Sequence, residues 1–198
     1  MTETLRRRAK AAHVFLRSSL ASVTNRCPAD IDIQRPTKGK PYVAGGAQFN
    51  LSHSGALAVC VLHPAVETGI DVEIATRDIS EAGLPQNLVP AERVSPPGDR
   101  SAWLRLWVRK EAVIKALGQG LHAHLPAFDV GHAMDQCDHW RCLSPEKHPP
   151  LCLFATHLPS GDPVAVAVVT DQPPDTSPRI IAADSSALIA KGMLLCKE

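Results

Sequence analysis

With 198 residues, 44% hydrophobic and 21% charged, the sequence has the composition of an ordinary globular chain, able to bury a core as one domain or as two small lobes. Its 21 basic and 20 acidic residues give a formal net charge of +1, which excludes any global electrostatic case for nucleic acid or a membrane surface and leaves a charged ligand to be bound locally. No apolar run approaches a membrane span and no signal-peptide core follows the start, so the chain reads as cytoplasmic.

The first 28 residues are Arg-rich and poor in acid, as a transit peptide is, yet Leu5, Ala12, Phe15, Leu16, Leu20 and Val23 recur at helical spacing and predict a core helix. Residues 28 to 48 are broken by Pro and Gly and read as loops, with one short strand around Asp30 to Gln34. Ala56 to Leu62 is an apolar run of strand length, Pro64 marks a turn, and Thr68 to Ile74 is a second strand, so the two predict a hairpin. Residues 76 to 100 are rich in Pro and charge and form a connector. Trp103 to Leu121 then has the periodicity of one helix ending on Gly118 and Gly120. Trp103, Leu106, Trp107, Ile114 and Leu117 predict its apolar face, with Arg105, Arg109, Ala112 and Ala116 opposite. Lys110 interrupts that face and Glu111 sits at its border. Pro126 to Val130 suggests a short strand and Gly131 to Pro150 an irregular insertion. Leu151 to His157 and Val164 to Thr170 predict a second hairpin, and Arg179 to Ala183 one more strand after a Pro-rich link.

Helix, hairpin, connector, helix, hairpin is a coarse repeat, which predicts an α+β fold of two similar lobes, residues 1–75 and 76–170, with a Pro-rich link and tail over 171–198. A cleft between them is the natural place for a site. Six cysteines without CxxC spacing favour reduced thiols. His132, Cys137, His139, Cys142 and His148 match no zinc-site spacing, and a loop rich in His and Cys explains them better.

Three stretches carry chemistry. Asp71 and Glu73 share one face of a strand, where two carboxylates repel unless a proton or a cation such as Mg²⁺ lies between them; two solvated acids on an edge strand are the plainer reading. The run FNLSHS, Phe49 to Ser54, can offer donors to phosphate oxygens or be a polar turn before a strand. Lys110 and Lys115 are phosphate-type charges, and Glu111 with Lys115 can equally be a surface i,i+4 pair.

Read together, GKP (Gly39 to Pro41), FNLSHS, GIDVE (Gly69 to Glu73) and WVRKEAVIKALGQGL resemble the signature of the Sfp-type 4'-phosphopantetheinyl transferases, over residues from about Arg8 to Thr170. The resemblance implies a pseudo-twofold α+β fold with coenzyme A and Mg²⁺ bound between the lobes. It implies transfer of phosphopantetheine to a serine of an acyl or peptidyl carrier protein, releasing adenosine 3',5'-bisphosphate. By similarity Asp71, Glu73 and Glu111 would ligate Mg²⁺. Lys110 and Lys115 would contact the phosphates, and His53, helped by Ser52, would hold a phosphate oxygen near the adenosine. Arg8, in RAKAAHVFLR, and Lys40, in GKP, would reach the nucleotide end, and Glu92 stands where the family often carries a further Glu. Asp71, Glu111 and Lys115 are thus the catalytic candidates, with Glu111 as the base for the carrier serine or as a metal ligand only.

The sequence as given opens on what resembles the family's first helix, so the strand and loop that usually precede it are expected to be absent or to lie outside this sequence, and with them basic residues that help to hold coenzyme A. Ile79, Leu84, Leu88, Val89, Arg77 and Arg93 in the connector are expected to meet the carrier, and a monomer to complete its own site. A noncatalytic binder of coenzyme A or of a carrier, and a metal-dependent phosphoester hydrolase, are the alternatives.

Overall fold

The structure, a computed structural model, describes residues 2–37, 39–77, 100–118, 129–131, 137–145, 148–176 and 178–184. Helix α1 spans Glu3–Thr24, with Ala12, Phe15, Leu16 and Leu20 buried at helical spacing. It stops at Asn25, whose φ of 52° is the left-handed conformation that Asn tolerates at a helix end. Pro28–Asp30 forms a single 3-10 turn. The strand expected around Asp30 to Gln34 reduces to one bridge between Gln34 and Tyr42.

Strands β1 (Gln48–Ser54) and β2 (Leu57–His63) pair antiparallel across Gly55, with Ser54 opposite Leu57. Gly55 takes φ +58°, which suits a two-residue hairpin turn. The expected hairpin between Ala56–Leu62 and Thr68–Ile74 therefore does not form. β2 is already paired with β1 on one edge and with β7 (Ile181–Asp184) on the other. Past Pro64 the chain changes sheets, with His63 Nδ1 accepting from the Ala65 and Val66 N–H groups at 3.2 and 3.0 Å. Strand β3 (Thr68–Val72) then pairs with β6 (Pro163–Val168). The second sheet runs β3-β6-β5-β4, with β5 at Leu151–His157 and β4 at Cys137–Leu143. Its β5–β6 hairpin is the one expected from sequence.

Residues 137 to 143, read as part of an irregular insertion, form the edge strand β4 (Cys137–Leu143), which pairs with β5 across a register shift. The shift breaks the alternation that would have revealed the strand. Cys142 and Cys152 lie opposite each other in this pairing, Cα atoms 4.0 Å apart, and are joined as a disulfide. The expectation of reduced cysteines thus fails for this pair, and Cys142 is withdrawn from any zinc set. The tail adds β7 to the first sheet, close to the predicted Arg179–Ala183, whereas residues 126–128 lie outside the described residues.

Side-chain alternation stacks these elements into layers. Ala58 and Cys60 of β2 join Phe15, Leu16 and Leu20 beneath α1, while Val59 and Val61 meet Val164, Val166 and Val168 of β6. The opposite face of β6, Ala165 and Ala167, lies under helix α2 (Arg100–Leu117) with Leu106, Ala112, Val113 and Ala116. The order is α1, first sheet, second sheet, α2, so both faces of the inner strands are covered and their sequences read as unbroken apolar runs. No helix among the described residues is long and apolar enough to cross a membrane.

The amphipathic wheel predicted for α2 holds only in part: Leu106 and Ile114 of its apolar face are buried, and so is Arg109 opposite them. Ala112 and Ala116, expected to face solvent, are buried against the sheet, and Trp103 and Trp107 are only half-buried. The cause is Gly69 of β3. A Cβ there would lie 2.0 Å from the Ala112 carbonyl oxygen and 2.3 Å from the Ala116 nitrogen, so helix backbone rests directly on strand backbone. Small residues permit that approach, and it governs helix orientation more than the tryptophans do.

Candidate active site

Gly69, Asp71 and Glu73 follow at period two on the β3 face that meets α2, while Ile70 and Val72 point into the layer between the sheets. The acids are therefore enclosed, with Asp71 4% and Glu73 3% exposed, which rules out two solvated acids on an edge strand. The free edge of β3 runs beside β1, and side chains of β1 bridge the two sheets. The Ile70 N–H donates to Asn50 Oδ1 at 3.0 Å, and Ser52 Oγ donates to Asp71 Oδ1 at 2.7 Å. Ser54 Oγ donates to Glu73 Oε2 at 2.5 Å and accepts from the Ile74 N–H at 3.1 Å. Partner numbers rise together, so β1 and β3 run in the same direction along this seam. Asn50, Ser52 and Ser54 satisfy edge groups that would otherwise be buried without partners.

From α2, Lys115 Nζ reaches Asp71 Oδ1 at 2.5 Å and Ser52 Oγ at 3.1 Å. The surface pair Glu111–Lys115 is not what forms. Glu111 is 6% exposed, with its Oε1 buried and without a hydrogen-bond partner among the described residues, as is Asp71 Oδ2. Arg77 Nη1 pairs with Glu73 Oε1. Burial pushes the Glu111 carboxyl above its ordinary range; Asp71 and Glu73 add repulsion, which Lys115 and Arg77 partly offset. Glu73 is also raised, first by burial and then by Asp71, against the opposing Ser54 bond and the Arg77 and Lys115 charges.

Of the candidates read from sequence, Ser52, Asp71, Glu73, Glu111 and Lys115 come together here. Lys110 is fully buried in α2. Lys40 is held by Glu67 Oε2 at 2.5 Å and the Thr68 carbonyl at 2.7 Å. His53 points to the other face of β1, into a cleft of about 240 Å³ shared with His13, Arg35, Phe49 and Ala9. Arg8 is half-exposed, next in sequence to Ala9. Arg35 Nη2 lies 2.7 Å from His13 Nε2, and burial, then Arg35, Arg17 and His53, lower the His13 pKa. Glu92, Ile79, Leu84, Leu88, Val89 and Arg93 lie outside the described residues. Asn50 and Ser54, read in FNLSHS as donors for a phosphate, instead bond the β3 edge and Glu73, a role their period-two spacing with Ser52 could have signalled. Arg77, expected to meet a carrier, is paired with Glu73 and stays partly exposed.

Buried acids with open oxygens, a lysine retaining donor capacity and an adjoining basic cleft form a site suited to a polyphosphate ligand and a hard cation. Comparison with known proteins specifies the class. The family model of the 4'-phosphopantetheinyl transferase superfamily matches residues 67–169, the stretch that carries Asp71, Glu73, Glu111 and Lys115. A phosphopantetheinyl transferase of a Thraustochytrium species is 31% identical over 137 residues, 59% of this chain and 48% of that protein. The 4'-phosphopantetheinyl transferase HetI of a Nostoc species is 31% identical over 127 residues, 59% of this chain and 54% of its own. A 4'-phosphopantetheinyl transferase of Bacillus subtilis is 30% identical over 150 residues, 73% of this chain and 65% of its own. The chain belongs to the 4'-phosphopantetheinyl transferase superfamily. It spans about half to two-thirds of the length of these curated relatives.

Proposed function

We propose that this chain transfers the 4'-phosphopantetheine arm of coenzyme A to a serine hydroxyl of an acyl or peptidyl carrier protein, with adenosine 3',5'-bisphosphate as the leaving group. The observation that carries the reading is the Ser52–Asp71–Lys115 cluster beside the desolvated Glu111, within the part of the chain that matches the family. In the reaction the serine oxygen bonds to the phosphorus of the phosphopantetheine arm and the bond to the bridging pyrophosphate oxygen breaks. The serine proton goes to a base. Charge grows on the departing bisphosphate and on nonbridging oxygens, so the protein contributes mainly positive charge, donors and alignment.

Lys115 suits this role. An ammonium has three donors, and two are committed to Asp71 and Ser52, which fixes its position and leaves the third for a phosphate oxygen. Glu111 is the proton acceptor: desolvation raises its affinity for a proton, as a general base requires. The cleft with His13, Arg35 and His53 takes the nucleotide end, with imidazole and guanidinium groups for phosphate and Phe49 and Ala9 as apolar wall.

The acids also fit a hard divalent cation. Asp71 Oδ2 and Glu111 Oε1 are buried carboxylate oxygens lacking hydrogen-bond partners among the described residues, and oxygen-only donors match Mg²⁺. When bound, Mg²⁺ would supply positive charge to the pyrophosphate of coenzyme A; Asp71, Glu73 and Glu111 are the acids the resemblance assigns to it, and of these Asp71 and Glu111 offer open oxygens, while no three such side chains already converge on one point among the described residues. A site between two similar lobes remains the expectation, and one chain supplies every residue named, in keeping with a monomer.

The test is incubation of the full chain with coenzyme A, Mg²⁺ and a panel of apo carrier proteins, read by intact mass. The arm is expected on a carrier serine. No transfer to any carrier, from folded protein that binds Mg²⁺ and coenzyme A, refutes the proposal. Release of adenosine bisphosphate without a carrier would point to hydrolysis instead.

A further inference from the structure

The β4 edge of the second sheet carries contacts that the proposed transfer does not use. Cys142 and Cys152 face each other in register and are joined as a disulfide. Two residues before Cys142, the Trp140 ring packs on Phe154 with centroids 5.6 Å apart. Its indole N–H reaches past the sheet and donates to the Thr176 carbonyl oxygen at 2.8 Å. Thr176 lies in the Pro-rich link between β6 and β7, so β4 is fastened to β5 on one side and to the link on the other. The two sulfurs differ in access. Cys142 is exposed, whereas Cys152 is fully buried with the valines between the sheets. Cys152 Sγ lies 3.8 Å from the Thr170 carbonyl oxygen, at the start of the same link. A disulfide sulfur has no proton to offer that oxygen; a thiol has one.

We propose that the Cys142–Cys152 pair is a redox-operated staple, opened by a dithiol reductant from the exposed sulfur, which loosens β4 and the link while leaving the acidic site in place. A reductant thiolate bonds to Cys142 Sγ, the bond between the two cysteine sulfurs breaks, and its electron pair goes to Cys152 Sγ. Cys152 takes up a proton and, as a thiol, donates it to the Thr170 carbonyl oxygen. The reductant's second thiol then displaces Cys142, which leaves as a thiol; two electrons and two protons have passed to the protein and the reductant departs as a disulfide. β4 depends on the cross-link because it is an edge strand whose regular pairs at Arg141, Cys142 and Leu143 are cut off from Cys137 by a register shift. The disulfide stands in the middle of those pairs. Once it opens, the strand and the Trp140 bond to the link are free to open with it. Asp71 is shielded from this change, since β5 and β6 lie between β4 and β3 in the sheet.

Hydrogen exchange of the full wild-type chain, oxidised and after reduction by dithiothreitol, tests the staple. Amides of residues 139–143 and 171–176 are expected to exchange roughly tenfold or more faster in the reduced protein, as release of a constrained loop implies. Those of residues 68–73 should stay within about twofold. Equal exchange at β4 and the link in the two forms overturns the proposal, and so does an equal acceleration at residues 68–73. The point of attack is read with glutathione, a monothiol that cannot complete the second step. After an acid quench, peptide masses should place its adduct on Cys142; an adduct on Cys152 overturns the assigned direction. If both cysteines alkylate as free thiols after treatment with oxidised glutathione, the staple does not form and the proposal is refuted. None of these readouts depends on carrier transfer, so failure here is distinct from failure of the proposed function.

Discussion

Gly69→Ala tests the contact on which the site is built. The added methyl would sit 2.0 Å from the Ala112 carbonyl oxygen and 2.3 Å from the Ala116 nitrogen, with the Ala116 Cα at 3.0 Å. These are backbone atoms of α2, so no side-chain rotation relieves the overlap. Ordinary contact needs β3 and α2 to part by more than about 1 Å at this point, which opens the packed layer around them. Overpacking of this kind costs about 3 kcal/mol, at the upper end of the usual range. For a chain of this size that corresponds to a fall in Tm of about 6–12 °C. The same displacement draws Lys115 and Glu111 away from Asp71, so transfer by the protein that remains folded should fall about 100-fold. Thermal denaturation followed by circular dichroism and the carrier mass assay measure the two effects. A variant with a Tm within about 2 °C of wild type and undiminished transfer would show that the helix does not depend on this approach, and would refute the reasoning.

Ser54→Ala removes the buried donor to Glu73 Oε2 and the partly buried acceptor of the Ile74 N–H, and should cost about 1–3 kcal/mol in urea denaturation; an unchanged midpoint would count against the seam between the sheets. Glu111→Gln should change the pH profile of stability without added metal. The raised folded pKa means the native state holds a proton more tightly than the unfolded chain, so wild-type stability falls as pH rises from the ordinary value of 4.5 through the raised one, a loss the glutamine variant escapes. His13 and His63, lowered chiefly by burial, act oppositely, losing stability as pH falls through 6.5, so the difference between the two proteins is the quantity to measure; a flat difference opposes the assignment. Lys115→Met should lower transfer by about 100-fold and also destabilise the protein, because Asp71 loses its cation; the side chain is 27% exposed, so the stability loss is screened to about 1 kcal/mol. Full transfer by Lys115→Met would remove the lysine from the mechanism. For Asp71→Ala, the relief of repulsion expected from sequence is offset by the loss of partners for Lys115 and Ser52, so the calorimetric melting point should fall rather than hold.

Helix α1, helix α2 and the β5–β6 hairpin could be read from periodicity and turn residues, because each is specified by neighbours close in the chain. Strand pairing could not. Ala56–Leu62 and Thr68–Ile74 satisfied every local condition for a hairpin, but β1, whose polar alternation resembled a turn, took the edge of β2 first. The β4 strand was hidden by its register shift, and the Cys142–Cys152 pairing depends on that register.

The residue types of the site were legible in the sequence: two acids at period two, and a glutamate four residues before a lysine. What pairs with what was decided only by the layers. Whether Lys115 met Glu111 along its own helix or Asp71 across the packing depended on how closely α2 lies on β3, and a missing side chain at Gly69 sets that distance. Ser52 and Ser54 reached the carboxylates because β1 and β3, edges of different sheets, were brought side by side in parallel. Burial then turned ordinary carboxylates into desolvated ones, with open oxygens on Asp71 and Glu111. Local sequence supplies charges and periods; the distances and the exclusion of water that give those charges chemical meaning arise only when distant segments pack.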